Sequence, residues 1–239
     1  MAPSVEQLYP QEPLSRNFLP MDPFFGPFFQ IMRQALSAGS SELGLGMSLF
    51  SLAVSINATN IIEIGRFKGF STFCLSSALR FLDVGWQESQ HCKQRPDMNY
   101  PVFEQPRRRC LISIDPHPTA EAAQLIADAE LTRYVVFVDQ TSDACSLNGM
   151  ADLLFVDGDH SYEACKRDVA KYATNHLRPG GYFIVHDYFG WYGADKINKS
   201  PIKAVAQEVI ASGQFQHVLI DTGYMSFMIF RKPNPAVDG

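Results

Sequence analysis

Two apolar runs each end in acid and histidine: Leu153-Leu-Phe-Val-Asp157-Gly-Asp159-His160 and Phe183-Ile-Val-His186-Asp187-Tyr188. Imidazoles titrate near neutral pH, and carboxylates accept hydrogen bonds and protons. Asp157, Asp159, His160, His186 and Asp187 therefore have the side-chain chemistry of a reaction centre. Whether they meet depends on the elements that carry them. Asp157 and Asp187 are 30 positions apart, the length of a βαβ crossover of roughly 30 residues. Parallel neighbouring strands lie about 4.8 Å apart. Such a unit would gather all five side chains at the carboxyl edge of a sheet, where open α/β folds bind their ligands.

The rest of the chain supplies the frame. Residues 60–64, 110–114, 134–138, 153–156 and 182–185 read as short buried strands. They alternate with helices over 71–82, 119–130, 162–176 and from Pro201 to about Ser212. Arg178-Pro-Gly-Gly181 reads as a turn between helix and strand. Residues 215–220 and 224–230 read as two strands joined by Asp221-Thr222-Gly223, a hairpin signal. This order predicts a Rossmann-like, doubly wound α/β fold: a mostly parallel seven-stranded sheet ending in an antiparallel hairpin. Gly39 to Gly46 reads as a loop and Met47 to Ile56 as a helix. The expected organisation is an N-terminal segment 1–46, a domain 47–232 with an insertion at 83–109, and a tail 233–239. The insertion is far longer than the roughly 2–6 residues usual between a helix and a strand. It falls on the edge opposite the acids, which suggests assembly or stability rather than chemistry. In the N-terminal segment, Pro20, Pro23 and Pro27 interrupt Phe24, Phe25, Phe28 and Phe29. That cluster suits a substrate lid or the contact of a homodimer. A short helix is expected over Gln30–Ser37.

Bulk composition narrows the function classes. The chain has 239 residues, 46% of them hydrophobic, enough for one large domain. A net charge of −5 argues against a nucleic-acid partner held by phosphate neutralisation, and Arg107-Arg108-Arg109 reads as a solvated loop. No apolar stretch reaches the roughly 18 residues needed to span a membrane. The start Met-Ala-Pro-Ser-Val-Glu has no basic region leading into an apolar one. Five scattered cysteines form no Cys-x-x-Cys pair. A reduced, cytoplasmic chain is expected.

The segment Ile61-Ile-Glu63-Ile-Gly65-Arg66-Phe67-Lys-Gly69-Phe70-Ser71-Thr72 is a strand, a glycine turn and a helix start. It departs from the dinucleotide fingerprint Gly-x-Gly-x-x-Gly, because Phe67 and Phe70 occupy the second and third glycine positions. A phenylalanine where backbone must approach a pyrophosphate disfavours NAD. Glu63 suits a ligand with positive charge. Asp115, ending Ser113-Ile-Asp115-Pro-His117, suits a ribose diol. Asp139-Gln140-Thr141-Ser142-Asp143, after the third strand, suits an adenine edge. An acid for an amine, an acid for a ribose and polar groups for a base together describe S-adenosylmethionine. Its expected contacts are Glu63, Gly65, Arg66, Gly69, Ser71, Thr72, Asp115, Ser142 and Asp157.

The run Glu63-Ile-Gly65-x-x-x-Gly69-x-Ser71-Thr72 resembles the cofactor loop of class I S-adenosylmethionine-dependent methyltransferases. Phe155-Val-Asp157-Gly-Asp159-His160-Ser161-Tyr162, with Arg178-Pro-Gly-Gly181 and Val185-His186-Asp187-Tyr188, looks like the narrower group of small-molecule O-methyltransferases. That group includes macrolide-sugar and aminocoumarin tailoring enzymes and cephalosporin-hydroxylase-like proteins. It is more distantly related to catechol and caffeoyl-CoA O-methyltransferases. The resemblance spans about residues 45 to 230. The chain departs from it in two ways. His186-Asp187 stands where metal-dependent relatives usually carry two acidic or acid-amide residues, and the 83–109 insertion is unusual.

The resemblance implies O-methylation of a small-molecule hydroxyl: a sugar, a phenol or a polyketide-type natural product. It also implies a divalent cation, Mg²⁺ or another, held by Asp157 and Asp187 with His186 as a third group. Imidazole in place of a hard oxygen donor moves the site toward a transition metal or toward metal-free base catalysis. His160 or Asp159 would serve as general base. Alternatives are a hydroxylase-associated protein on the same scaffold, or a non-catalytic cofactor-binding subunit. Tyr188, Phe189, Trp191 and Tyr192 would line an acceptor pocket or anchor a loop. His117 and His217 read as structural or solvated. Asp168 and Lys171 read as the exposed face of their helix.

Overall fold

The computed structural model describes residues 43–92, 108–189, 200–221 and 226–235. The Phe-rich segment and its short helix, the later part of the insertion, Trp191 and Tyr192, the hairpin turn at 222–225 and the end of the tail lie outside the described residues.

The elements are α1 (Leu43–Ser55), β1 (Asn60–Ile64), α2 (Phe70–Cys92), β2 (Cys110–Ile114), α3 (Ala120–Asp128) and β3 (Val135–Val138). They continue with β4 (Ala151–Val156), α4 (Tyr162–Asp168), β5 (Leu177–His186), α5 (Pro201–Ala211), β6 (Gln216–Asp221) and β7 (Ser226–Arg231). A π turn, Val169–Ala173, prolongs α4. The seven strands form one sheet in the order β3-β2-β1-β4-β5-β7-β6. β7 alone runs against the direction of the other six strands. The expected fold is therefore the observed one, with β1 at the centre between β2 and β4.

Alternation along the strands divides the core into two layers. Ile61, Leu153, Phe155 and Ile184 meet α1 and α2 through Leu45, Leu49, Phe73 and Leu79. Ile62, Ile64, Leu154, Val156 and Phe183 meet the other layer through Tyr172, Ile202 and Val205. Helix starts follow their cap residues. Thr119, Ser161 and Ser200 each accept a hydrogen bond from a backbone N–H three positions on. Pro201, expected at the first turn of the last helix, sits there.

Three local expectations are corrected. Helix α1 begins at Leu43, not Met47. Its Gly46 permits close crossing, since a Cβ there would lie 2.7 Å from the Phe70 ring and 2.8 Å from Cys74 Sγ. Helix α2 runs to Cys92, so the first part of the expected insertion is a continuation of the helix. Arg178-Pro-Gly-Gly181 lies within β5 as a bulge, because Ala151 pairs with Leu177 but Leu153 pairs with Tyr182. Among the described residues no helix is long and apolar enough to cross a membrane, and Cys110, Cys145 and Cys165 are free thiols.

Candidate active site

The strand ends interlock at the carboxyl edge. The Gly65 N–H donates to the Ile114 carbonyl at 2.9 Å, and the Asp157 N–H to the Ile64 carbonyl at 2.8 Å. Gly65 has φ +84°, and a Cβ there would lie 2.1 Å from the Asp157 carbonyl oxygen. Glycine is thus required both for conformation and for space. Gly69 has φ +88°, and a Cβ there would lie 2.9 Å from Ala122 Cα, so the turn also packs against α3.

Asp115 caps this turn. Its Oδ2 accepts from the N–H groups of Arg66 (2.9 Å) and Phe67 (3.1 Å), and its Oδ1 accepts from the His117 N–H (2.8 Å). The Arg66 side chain is buried. It donates to the Ser113 carbonyl at 3.1 Å, pairs with Asp139 and lies 4.9 Å from the Phe137 ring centre. Phe67 holds φ +44° and is 72% exposed.

Glu63, expected beside a positively charged ligand, is a buried member of the turn's own hydrogen-bond network. It lies on the α2 side of β1, fully buried, and accepts hydroxyl hydrogen bonds from Ser71 (2.5 Å), Thr72 (2.6 Å) and Ser113 (2.5 Å). Burial raises its carboxyl to about 7 from an ordinary 4.5, although the three hydroxyls pull the other way. Glu63 therefore ties the first turn of α2 to β1 and β2.

The two acid-and-histidine ends do meet, because β4 and β5 are parallel neighbours. Asp157 Oδ1 lies 3.0 Å from His186 Nδ1 and 3.2 Å from His160 Nε2. Asp187 lies 3.6 Å from His160 Nδ1 and 3.7 Å from His186 Nε2. Asp159 is not part of the group; its carboxylate is exposed and accepts from the Ser161 N–H at 2.8 Å, at the start of α4. The two carboxylates are driven apart. Burial pushes Asp157 up, but the hydrogen bonds and charges of His160 and His186 outweigh it, and its pKa is lowered. Burial dominates at Asp187, and its pKa is raised. His160 is raised above the ordinary histidine value, first by its hydrogen bond with Asp157 and further by both carboxylate charges.

A cavity of about 300 Å³ opens between the glycine turn and this group, lined among others by Gly65, Phe67, Ser71, Asp157, His160 and Asp187. Of the expected cofactor contacts, Gly65, Arg66, Ser71 and Asp157 line it. Glu63, Thr72 and Asp115 serve the turn from within, and Ser142 lies on the loop after β3. The wall also includes Leu45, Phe67, Lys68 and Phe70, which the sequence reading did not assign to the site. Phe67 carried a signal, as the residue standing at the second glycine position of the dinucleotide pattern. Leu45 carried none, because Gly44 and Gly46 made its segment read as loop.

Asp157, His186 and Asp187 each offer one ligand atom, all within 4.8 Å of one another. Two carboxylate oxygens and one imidazole nitrogen suit a divalent cation, and the imidazole suits a transition ion better than it suits Mg²⁺.

A family model described as a methyltransferase domain matches residues 62–188, more than half of the chain. The chain belongs to the methyltransferase family. No curated protein matches it. Among solved structures, the S-adenosylhomocysteine-bound methyltransferase PaMTH1 of Podospora anserina is similar at 14% identity and a TM-score of 0.61, over 89% of this chain and 88% of that one. TomG of Streptomyces achromogenes, an O-methyltransferase of tomaymycin synthesis solved with S-adenosylmethionine, is similar at 17% identity and a TM-score of 0.59, over 87% and 90%. An O-methyltransferase of Bacillus cereus in complex with S-adenosylhomocysteine is similar at 17% identity and a TM-score of 0.59, over 92% and 94%. At these identities the likeness establishes the shared methyltransferase fold.

Proposed function

We propose that this methyltransferase moves a methyl group from S-adenosylmethionine to a hydroxyl oxygen of a small molecule, with a divalent cation at Asp157, His186 and Asp187. The observation that carries the reading is the liganding trio set against the cavity beside the glycine turn. The S-adenosyl ligands of TomG and of the Bacillus and Podospora proteins support the cofactor.

In this reading Gly65, Gly69 and Ser71 present the turn to the cofactor, held in shape by Glu63, Thr72, Arg66 and Asp115, while Ser142 sits on the base side. A bound cation lowers the pKa of an acceptor hydroxyl and orients it. His160, exposed at the cavity rim, takes up the acceptor's proton. The Asp187 carboxylate 3.6 Å from its Nδ1 stabilises the imidazolium so formed. The acceptor oxygen then bonds to the methyl carbon as the carbon–sulfur bond breaks, leaving S-adenosylhomocysteine. The apolar part of the wall, Leu45, Phe67 and Phe70, suits an acceptor with a hydrophobic body and a polar edge.

The test combines binding and turnover. S-adenosylhomocysteine at 100 times its Kd stabilises the fold by about 2.7 kcal/mol, a rise in Tm of roughly 5–10 °C for a chain of this size. Methyl transfer to a panel of phenols, catechols and sugars is expected to stop with EDTA, while cofactor binding persists. Asp157→Asn lowers turnover by about 100-fold or more. A chain that S-adenosylhomocysteine does not stabilise overturns the cofactor; chelator-insensitive turnover overturns the metal.

A further inference from the structure

Asp168 and Lys171, expected on an exposed helix face, are not there. Asp168 is buried, and Lys171 is half-buried beneath the loop that follows β3. Three carbonyl oxygens surround the Lys171 ammonium: Ser142 at 2.6 Å, Cys145 at 2.7 Å and Asp143 at 3.0 Å. An ammonium has three donors, and here each has an acceptor. The Tyr172 hydroxyl donates to the same Ser142 carbonyl at 2.8 Å. Asp168 accepts from the Ser142 side chain, and Arg167 pairs with Asp143 at 3.1 Å. One end of one helix thus holds one short loop through four side chains. Lys171 and Tyr172 both lie in the π turn Val169–Ala173. Single π turns inside helices are rare and recur at functional sites.

The same loop is gripped from its other end. Asp139 pairs with Arg66, and Arg66 lines the cavity. Residues 139–145 are therefore fixed between the glycine turn and the π turn. Peptide units are planar and trans, so a carbonyl drawn to Lys171 turns the next N–H the opposite way. The Ala144 N–H so directed meets Thr141 Oγ1 at 3.3 Å. By the same planarity the Ser142 carbonyl held by Lys171 turns the Asp143 N–H away from it, on a loop that also carries the half-exposed carboxylate of Asp139. An N–H donor and a carboxylate acceptor complement the adenine edge, which presents a ring-nitrogen acceptor beside an amine donor.

Resting on the cofactor reading above, we propose that Lys171 is a positioning residue for the purine of S-adenosylmethionine. By gathering three carbonyls, it sets the loop 139–145 to recognise adenine. Lys171 does not touch the acceptor edge at Asp157 and takes no part in the transfer itself.

The experiment measures binding of S-adenosylhomocysteine and of S-inosylhomocysteine, whose base reverses the donor and acceptor order on that edge, by calorimetry. The unmutated chain, Lys171→Met, Lys171→Arg and Tyr172→Phe are compared. The unmutated chain is expected to prefer the adenine ligand. Lys171→Met weakens S-adenosylhomocysteine by about tenfold or more, the scale of lost charge-assisted hydrogen bonds. The same substitution changes the inosine analogue by less than about threefold, so the preference collapses. Lys171→Arg falls between, because a planar fork cannot meet three converging carbonyls. If Lys171→Met does not fold, Tyr172→Phe carries the test through its hydroxyl bond to the Ser142 carbonyl, with a smaller fall in the same preference. Equal losses for both ligands, or none, overturn the proposal. An unmutated chain that binds neither ligand overturns the cofactor reading itself, before any variant is compared.

Discussion

Replacing Glu63 by glutamine removes one titrating group from the centre of the sheet and leaves its shape. The folded-state carboxyl titrates at about 7, against an ordinary 4.5. Between those values the folded chain holds a proton that the unfolded chain has released, so stability falls as pH rises. The contribution is fully present below pH 4.5 and is lost as pH passes through about 7. At about 1.4 kcal/mol per pH unit, the change is about 3 kcal/mol. For a chain of this size that is roughly 10 °C in Tm. Glutamine keeps an oxygen acceptor and adds an amide donor, and the hydroxyls of Ser71, Thr72 and Ser113 can rotate to suit it. Glu63→Gln therefore lacks this pH term. His160 and Asp187 titrate in both chains and cancel in the comparison, while the repulsion from Asp157, the smallest cause raising Glu63, is part of the difference read. Tm is measured for both chains from pH 4.5 to 8. The variant is expected to gain on the parent by roughly 10 °C across that range. Parallel curves would refute the assignment of a neutral buried acid at this position.

Two further substitutions test the frame. Gly65→Ala forces a Cβ to 2.1 Å from the Asp157 carbonyl at φ +84°, so a loss of about 3 kcal/mol or more is expected in urea unfolding. Gly213→Ala, at φ +65° with nothing within 4 Å, is expected to lose only about 1 kcal/mol; equal losses would show that space at Gly65 is not the issue. Asp152 is buried, accepts from the N–H groups of Thr59 and Asn60, and pairs with Arg178 at 2.7 Å. Asp152→Ala leaves those donors without their acceptor and should cost about 2–4 kcal/mol by the same measurement, with cofactor affinity unchanged.

The sequence made legible whatever rests on local period and spacing. The succession of strands and helices along the chain, the crossover that joins Asp157 to Asp187, the glycine turn and the helix start at Pro201 all follow from neighbours in the chain. The burial of Glu63 was not legible because its partners, Ser71 and Ser113, belong to different elements and meet only after β1, β2 and α2 pack. Gly46 suggested a loop, yet its reason is the Phe70 ring across a helix crossing. Lys171 looked like a solvated helix face because nothing in the sequence marks a π turn or foretells that three carbonyls will come to it. Asp159 shared the motif of the reactive group but is taken up by the start of α4. The common cause is that these roles are set by contacts between elements, which no local pattern encodes.

The closeness of Gly65 to the Asp157 carbonyl leaves no slack between the turns after β1 and β4. A ligand that orders one turn narrows the freedom of the other, and thermodynamic linkage makes that influence equal in both directions. A cofactor over the first turn and an acceptor at the second would then bind cooperatively. Each apparent affinity would depend on how much of the other ligand is present, and a chain already carrying its methyl donor would select acceptors more tightly than an empty one.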